Sequence, residues 1–284
     1  MGEVCMIPDG LRCCLGQRMV LLKPNLTKVV PDYLLFAIQS TAVQDAIRVQ
    51  GGTGSTVSNL RIPVLASLEI SLPHSRTEQE AIAEALSDAD ALIESLEQLL
   101  VKKRQIKQGT MQELLTGKRR LPGFDGVWES KRLGEMAHVK TGSRNNQDKI
   151  EDGEYPFFVR SATVERINSY SHDCEAILVP GEGNIGSIFH YINGRFDVHQ
   201  RVYAITQFLP NVSGMFVYLY MAMNFGAHAM QNSVKATVDS LRLPTFLEFE
   251  LVVPPTMREQ TAIATILCDI PPCQNDLLHL PLIV

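Results

Sequence analysis

The strongest constraint on the fold is an internal duplication. Residues 56–86 (TVSNLRIPVLASLEISLPHSRTEQEAIAEAL) align without a gap to residues 237–267 (TVDSLRLPTFLEFELVVPPTMREQTAIATIL), with an offset of 181 residues and 13 of 31 positions identical. The similarity extends upstream with small gaps, where Gln17-Arg18 falls on Gln200-Arg201. A repeating unit of ~180 residues is too long for a solenoid repeat. The sequence therefore predicts two copies of one domain-sized unit.

The two copies cover different parts of that unit. The first copy begins near the equivalent of Gly186 and has no counterpart of residues 128–185. The second copy stops resembling the first at Asp269, where it runs into Pro271-Pro272, and consecutive prolines cannot continue a helix. We therefore expect one complete unit, roughly 128–267, in a chain that is truncated at both ends.

Within each copy, short β-rich segments alternate with residues that favour turns. The main segments are MVLLKP (19–24), LEISLP (68–73), AILVP (176–180), SIFHYI (187–192), RVYAIT (201–206) and FELVVP (249–254). Two apolar segments, 33–47 and 216–230, have the length and spacing of helices. The pattern predicts an α+β fold of mixed strands and helices.

Residues 77–116 predict one long helix. Apolar side chains recur there at spacings of four and three residues, as in a coiled-coil seam: Ile82, Leu86, Ala89, Ile93, Leu96 and Leu100. Residues 77–100 hold seven acidic and no basic side chains, whereas 101–120 hold seven basic and one acidic. The alternatives are an ordinary amphipathic core helix and a rigid spacer of ~60 Å that offers the seam to a partner helix.

The distribution of charge matters more than its total. The formal net charge is −5, which taken alone argues mildly against binding to nucleic acid. Residues 102–166, however, carry 14 basic and 9 acidic side chains, while the segments on either side are acidic. A local basic field can attract phosphates although the whole molecule is acidic. The alternative is a solvated basic face.

One tempting motif is rejected. Gly181-Glu-Gly183-Asn-Ile-Gly186 fits GxGxxG, but a dinucleotide site needs a helix after the glycines, and the sequence that follows has the pattern of strands around an Asn193-Gly194 turn. We also find no zinc-protease, serine-hydrolase, Walker A, methyltransferase-tetrad or nuclease motif, and no metal-ligand spacing. We therefore expect no catalytic residues, no cofactor and no metal.

Besides the duplication, the sequence has PxxxxEQxAIA at the entry into the long helix (Pro73 to Ala83, and Pro254 to Ala264), LLTGKRRLPGF (114–124) at the end of this helix, and a segment from Trp128 to Glu135 that opens the next unit. These features together resemble the specificity (S) subunit of type I restriction-modification systems. The resemblance covers about 1–269, and its motifs are fairly specific in their combined order. Residues 155–164 and 177–205 are similar to target recognition domains.

The resemblance implies a non-catalytic protein that directs methyltransferase and nuclease subunits to a two-part DNA sequence. It implies an α+β fold in which target recognition domains are joined by a long coiled-coil-type helix. The domains it predicts are part of recognition domain 1 (1–76), the spacer helix (77–124), recognition domain 2 (125–257) and a truncated second helix with a divergent tail (258–284).

Candidate DNA contacts follow from side-chain chemistry, because Lys and Arg bind phosphates, Arg suits guanine and Asn suits adenine. The phosphate candidates are Lys118, Arg119, Arg120, Lys131, Arg132 and Lys140. The loop candidates for reading bases are Thr141, Ser143, Arg144, Asn145, Arg160, Ser161, Asn184, His199, Gln200 and Arg201, and Lys235 and Thr237 are candidates to approach the DNA backbone. For the phosphate candidates, the alternative is ordinary solvated surface charge. For Gln200-Arg201, which recur as Gln17-Arg18, the alternative to base reading is a structural role shared by both copies.

The partners that the resemblance implies are double-stranded DNA, modification (methyltransferase) subunits and the restriction (nuclease-translocase) subunit. A homodimer through the 77–116 helix is a further expectation. No apolar run approaches the ~20 residues of a membrane span, so we expect no membrane and a cytoplasmic location. The rival function is a coiled-coil adaptor that never contacts DNA, and a nucleotide-dependent enzyme is the third.

Overall fold

The predicted long helix is the longest element of the computed structural model, which describes residues 2–51, 60–233 and 239–269. This helix, α4, runs from Arg76 to Leu115, within one residue of the predicted bounds. Gly117, at a φ of +70°, follows it in the left-handed conformation that commonly ends helices. The chain forms two compact units, Met1–Leu99 and Leu100–Val284, whose boundary falls within α4.

The first unit is helical. Its elements before α4 are α1 (Pro31–Gln39), α2 (Thr41–Gly51) and α3 (Ile62–Ala66). Their small core is formed by Ile38, Val43 and Ile47. The prediction of strands at 19–24 and 68–73 is wrong, because neither segment is assigned to a strand. In the second unit the equivalent segments pair with strands from residues 128–185, which have no counterpart in this copy.

The second unit is built on a six-stranded mixed sheet. Its strand order is β2-β7-β5-β6-β3-β4, and all neighbours are antiparallel except β3 and β6. The strand bounds are β2 His138–Thr141, β3 Tyr155–Phe158, β4 Glu165–Ile167, β5 His172–Pro180, β6 His190–Val198 and β7 Val202–Thr206. A separate antiparallel pair joins β1 (Glu129–Arg132) to β8 (Glu250–Val253). The α+β prediction is confirmed.

Helices cover this sheet and complete the core. They are α5 (Leu133–Met136), α6 (Gly214–Gln231), α7 (Leu243–Leu247) and α8 (Met257–Asp269), and a 3-10 turn spans Asn146–Asp148. The predicted helix at 216–230 is therefore confirmed as part of α6. Its Phe225 packs at 5.0 Å, centroid to centroid, from Phe246 of α7 and at 5.1 Å from Phe249. Such close ring contacts fix the helices against one another.

The predicted Asn193-Gly194 turn is wrong. Both residues lie in the middle of β6, where Asn193 pairs with Glu175 and Gly194 with Cys174. The tertiary pairing with β5 overrides the local preference of Asn-Gly for a two-residue hairpin. The chain instead turns at His199–Arg201. The expectation that a strand follows the Gly181–Gly186 loop is confirmed, since β6 comes next and no helix does.

The duplication is visible in the structure of both copies. Arg61 and Arg242 each precede a five-residue helix that has proline in its first turn. The buried Gln79 accepts a hydrogen bond from Val30 N (2.9 Å) and donates to Lys28 O and Pro73 O. Its counterpart Gln260 accepts from Ser213 N (2.9 Å) and donates to Asn211 O and Pro254 O. In each copy this glutamine ties the start of one helix to the N-terminus of another, Val30 capping α1 and Ser213 capping α6.

Within the described ranges, no helix combines the length and apolar character needed to cross a bilayer. The four predicted domain bounds, at 76, 124, 257 and 284, remain a prediction.

Candidate nucleic-acid interface

Several loops of the second unit meet around the turn between β6 and β7. His199 N donates to Phe158 O (3.0 Å), Gln200 N donates to Arg144 O (2.9 Å), and Gly181 N donates to Arg201 O (2.8 Å). These bonds join loop segments that lie far apart in sequence: 142–145, 158–161, 181–184 and 199–201. We call this set the loop cluster. It brings together most of the residues that the sequence predicted to read bases.

A glycine makes this close approach possible. A Cβ atom on Gly142 would overlap the carbonyl group of Val198, so no other residue fits here without a shift of the backbone. Gly142 N also donates to Val202 O at 3.2 Å. The chain after β2 is therefore held against both ends of the β6–β7 turn. The position at which the loop beginning with Ser143 leaves the sheet is fixed by these contacts.

Glu182 lies between two arginines of the loop cluster. Its Oε2 is 3.2 Å from Nη1 of Arg160, and its Oε1 is 3.3 Å from Nη1 of Arg201. The carboxylate side chain is 23% exposed, while the arginines are 52% and 59% exposed. The two guanidinium groups therefore share one anion on the inner side and retain donors that face solvent.

Arg144 is anchored differently, by a buried carboxylate. Its Nε lies 3.1 Å from Oδ2 of Asp197, which is fully buried, and its Nη2 donates to Ser169 Oγ. Asp197 also accepts hydrogen bonds from the hydroxyls of Ser169 and Ser171 and from Val198 N. A buried carboxylate with this many donors holds the guanidinium in one orientation. Arg144 remains a candidate for base contact, with 43% of its side chain exposed.

The other members of the turn divide into buried and exposed side chains. His199 is only 5% exposed, and its Nδ1 accepts a hydrogen bond from Arg201 N (3.0 Å). Burial, assisted by the charges of Arg160 and Arg201, lowers the pKa of His199. This histidine therefore supports the turn as a neutral group. Gln200 is exposed and donates from Nε2 to Oδ1 of Asn145.

The remaining loop candidates are placed at the surface. Lys140 on β2, Ser143, Ser161 and Asn184 are exposed, and Thr141 is half-buried. Ser161 Oγ donates to Thr163 O, and the carbonyl of Asn184 accepts from Ser187 Oγ. Phe157 and Phe158, which precede Arg160, are core residues at 0% and 1% exposure. Lys235 and Thr237 lie outside the described residues.

The phosphate candidates near the end of α4 do not share one environment. Lys118 and Arg132 are exposed, Arg119 lies 3.5 Å from Glu113, and Lys131 lies 3.0 Å from Glu129. Each of these contacts is on the surface and leaves the cation able to meet a phosphate.

Arg120 has a structural role. Its guanidinium donates to both carboxylate oxygens of the buried Glu259, at 2.7 and 2.9 Å, and to the carbonyls of Asp125 and Gly126. It also lies over the ring of Trp128, 5.6 Å from the centroid. Because most of its donors are used inside the protein, Arg120 is less available to a phosphate than the other candidates, and its contact with DNA remains a prediction.

The sequence analysis missed two residues that organise this surface, Glu182 and Asp197. Both are acidic, whereas the residue types that indicate DNA binding in a sequence are basic or amide side chains. Glu182 had a usable signal, because it stands between two glycines directly after an apolar strand. Asp197 had none, since its partner Arg144 is 53 residues away in sequence.

The predicted helix interface on α4 is open to solvent in this chain. Leu86, Ile93, Leu96 and Leu100 are between 41% and 54% exposed, Ala89 is exposed, and Ile82 is half-buried. An apolar stripe of this length is uncommon on a helix that has no partner.

Comparison with known proteins identifies the family. The model of the type I restriction modification DNA specificity domain matches residues 1–105 and 126–279. The specificity subunit of the type I restriction enzyme EcoDI from Escherichia coli is 31% identical over 137 residues, which is 48% of this chain and 30% of that protein. Across these curated relatives, the matched part is 29 to 39% of their length.

Solved structures share the fold. The S subunit of the type I restriction-modification system from Mycoplasma genitalium superposes with a TM-score of 0.61 at 19% identity, covering 84% of this chain and 65% of that one. The HsdS subunit of Thermoanaerobacter tengcongensis gives a TM-score of 0.50 at 16% identity, covering 88% and 64%. Since the family model spans most of the residues in both copies, the chain belongs to the type I restriction modification DNA specificity domain family.

Proposed function

We propose that this chain is a sequence-specific DNA-binding specificity subunit, which carries out no chemistry itself and directs methyltransferase and nuclease subunits to their DNA target. The observation that carries the proposal is the loop cluster. In a chain of this family, it gathers exposed hydrogen-bond donors from four separate segments on one folded unit. Double-stranded DNA is the proposed ligand.

The chemistry of the loop cluster fits duplex DNA. Arg160 and Arg201 can each present a fork of N–H donors to guanine O6 and N7 or to a phosphate. Gln200 and Asn184 offer amides suited to adenine, and Lys140 offers a point charge for a phosphate. Because these groups project from loops that backbone bonds hold together, their spacing is set before DNA arrives.

DNA binding is tested by fluorescence anisotropy with a 30-base-pair duplex, using the full chain assembled with modification subunits. The observed association constant should fall steeply with salt. Arg160→Gln with Arg201→Gln should make the log–log slope shallower, by less than the ~1.8 expected of two unpaired cations, because both arginines are already paired with Glu182. Arg48→Gln is the matched control, because this exposed arginine also pairs with a carboxylate, Asp45, but lies in the first unit. Affinity that ignores both salt and DNA sequence would refute the proposal.

The rival adaptor function makes the opposite prediction. A coiled-coil adaptor would retain its activity after charge reversal at Lys140, Arg144 and Arg160, because none of these residues lies on α4. A specificity subunit would lose DNA binding in the same variants while its fold, followed by circular dichroism, remains intact.

The partners are proposed from the same family membership. We propose that α4 pairs with a helix in the assembled enzyme, since its apolar stripe is exposed in the single chain. The modification and restriction subunits are the proposed enzymatic partners, and we place the assembly in the cytoplasm. A second copy of this chain is the occupant that we propose for the stripe itself.

The charges on α4 favour an antiparallel arrangement of two copies. All charged side chains in 77–100 are acidic, and those in 101–120 are mainly basic. Two antiparallel helices would therefore place the acidic half of one beside the basic half of the other. Sedimentation of the full chain should show a dimer that Ile93→Lys with Leu96→Lys converts to a monomer. Glu151→Lys is the control for a change of charge, because Glu151 is exposed and lies outside α4. A monomer at all concentrations, or a dimer that survives the double substitution, contradicts this assignment.

A further inference from the structure

Glu182 occupies a position that should repel DNA. Its carboxylate lies within 3.3 Å of two of the arginines that the proposed function assigns to DNA, and it is partly exposed. The backbone holds the residue there firmly: Glu182 forms an isolated bridge with Ser240, Gly181 N donates to Arg201 O, and Leu241 N donates to Gly181 O (2.7 Å). A carboxylate fixed at a DNA surface costs affinity for phosphate, so its presence needs an explanation.

Stability is a poor explanation. The arginine partners of Glu182 are both more than half exposed, and exposed ion pairs contribute little to folding because solvent screens them and ordering the side chains costs entropy. The fold at this point is already maintained by backbone hydrogen bonds and by burial of the neighbouring Ile185 and Phe189. An uncharged glutamine of the same shape would retain the packing.

We propose that Glu182 is a specificity-determining residue, which occupies Arg160 and Arg201 in the free protein and thereby suppresses binding to non-target DNA. This inference rests on the proposed function and goes beyond it. A phosphate of any DNA sequence must displace the carboxylate before it can reach either arginine. A correctly placed guanine offsets the free-energy cost of that displacement through two directional hydrogen bonds to one arginine. A mobile phosphate does not offset this cost to the same extent.

The surrounding charges support this role. His199, which touches the same turn, is kept neutral by burial and so adds no cation. Asp148, a second acidic side chain near His199, adds negative charge to this region and not a further cation. Glu182 therefore determines the net charge at this part of the loop cluster. The two guanidinium groups and the carboxylate sum to about +1, and without the carboxylate the two arginines present about +2.

The test is Glu182→Gln, measured with a mixed-sequence 30-base-pair duplex at several salt concentrations. Freeing one or two arginines for phosphates should raise affinity for this duplex about five- to tenfold at 0.1 M salt and make the log–log slope steeper by about 1 to 2. Selection from a randomised duplex pool should then give weaker enrichment than wild type. Unchanged affinity, slope and enrichment, or weaker binding by Glu182→Gln, would overturn the proposal.

Two further variants separate this proposal from the function on which it rests. Asp173→Asn is the matched control, because Asp173 also pairs with a half-exposed arginine, Arg195, at 3.0 Å, elsewhere on the sheet. It should leave affinity and slope unchanged. Glu182→Gln combined with Arg160→Gln and Arg201→Gln should lose the gain. If the two arginine substitutions alone do not weaken binding, the proposed DNA surface fails; if they do and Glu182→Gln still gains nothing, only the role of Glu182 fails.

Discussion

The buried glutamine near the start of α4 in the first copy and of α8 in the second provides a stability test with an internal control. Gln260→Ala removes one acceptor and two donor contacts at a side chain that is 2% exposed. Gln79→Ala removes the same three kinds of contact in the first unit, also at 2% exposure. Because the two sites share geometry, both substitutions should destabilise their own units to a similar extent.

The magnitude follows from the number of bonds lost. Three intramolecular hydrogen bonds contribute about 1 kcal/mol each, which gives about 3 kcal/mol. The N–H of Ser213 then lies buried without its acceptor, and that desolvation adds about 1 to 2 kcal/mol for Gln260→Ala. We therefore expect a loss of about 3 to 5 kcal/mol from the free energy of local opening around α6 and α8.

Hydrogen exchange followed by mass spectrometry is the suitable assay, since two units need not unfold in one step. Gln260→Ala should increase exchange in α6 and α8, and Gln79→Ala in α1 and the first turns of α4. Gln98→Ala is the control: this exposed glutamine on α4 makes one hydrogen bond, to Glu94, and should change exchange by less than about 0.5 kcal/mol. A change below about 1 kcal/mol at both buried sites would refute the reasoning.

Two further predictions concern buried charge. Arg120→Met should destabilise the second unit by about 3 to 5 kcal/mol in chemical denaturation, because it leaves the buried Glu259 unpaired. Glu259→Gln should destabilise it less, because the unpaired Arg120 can reach water. Equal losses of stability in the two variants would contradict this asymmetry. Burial lowers the pKa of His190, which is 4% exposed, so the folded state resists a proton that the unfolded state accepts. The free energy of unfolding should therefore fall as the pH drops below about 6.5, by up to about 1.4 kcal/mol per pH unit, and His190→Phe should reduce this slope when thermal unfolding is measured from pH 7.5 to 5.

The long helix and the duplication could be predicted because their signals are local or repeated. Apolar residues at spacings of three and four predict α4 without knowledge of its neighbours. The motif PxxxxEQxAIA leads into both α4 and α8, and this repetition reveals the duplication. Strands were harder to predict, because a β-rich segment forms a strand only beside a partner. Residues 201–206 lie between β2 and β5, whereas the equivalent segment at 19–24 has no such neighbours and is not a strand.

The candidate site shows the same limit for side chains. Residue type predicted which groups could contact DNA, but not which were already used. Arg120 and Arg160 look alike in sequence, yet the carboxylate partner of Arg120 is 139 residues away and buried, while that of Arg160 is 22 residues away and partly exposed. Only the fold brings each pair together, so only the fold separates a structural arginine from one that remains available.

The pairing of cations in the loop cluster also determines how salt should act on DNA binding. Arg160 and Arg201 both contact the partly exposed Glu182 in the free chain, so a phosphate contact by either of them replaces an existing ion pair. The released carboxylate takes up cations from solution, and this uptake offsets part of the counterion release from DNA. Lys140 makes no ion pair within the described parts of the chain, so its phosphate contact would contribute close to the full increment of about 0.9 to the slope. The salt dependence of this acidic protein should therefore be shallower than its count of basic residues at the loops indicates, and it should depend more on Lys140 than on either Arg160 or Arg201.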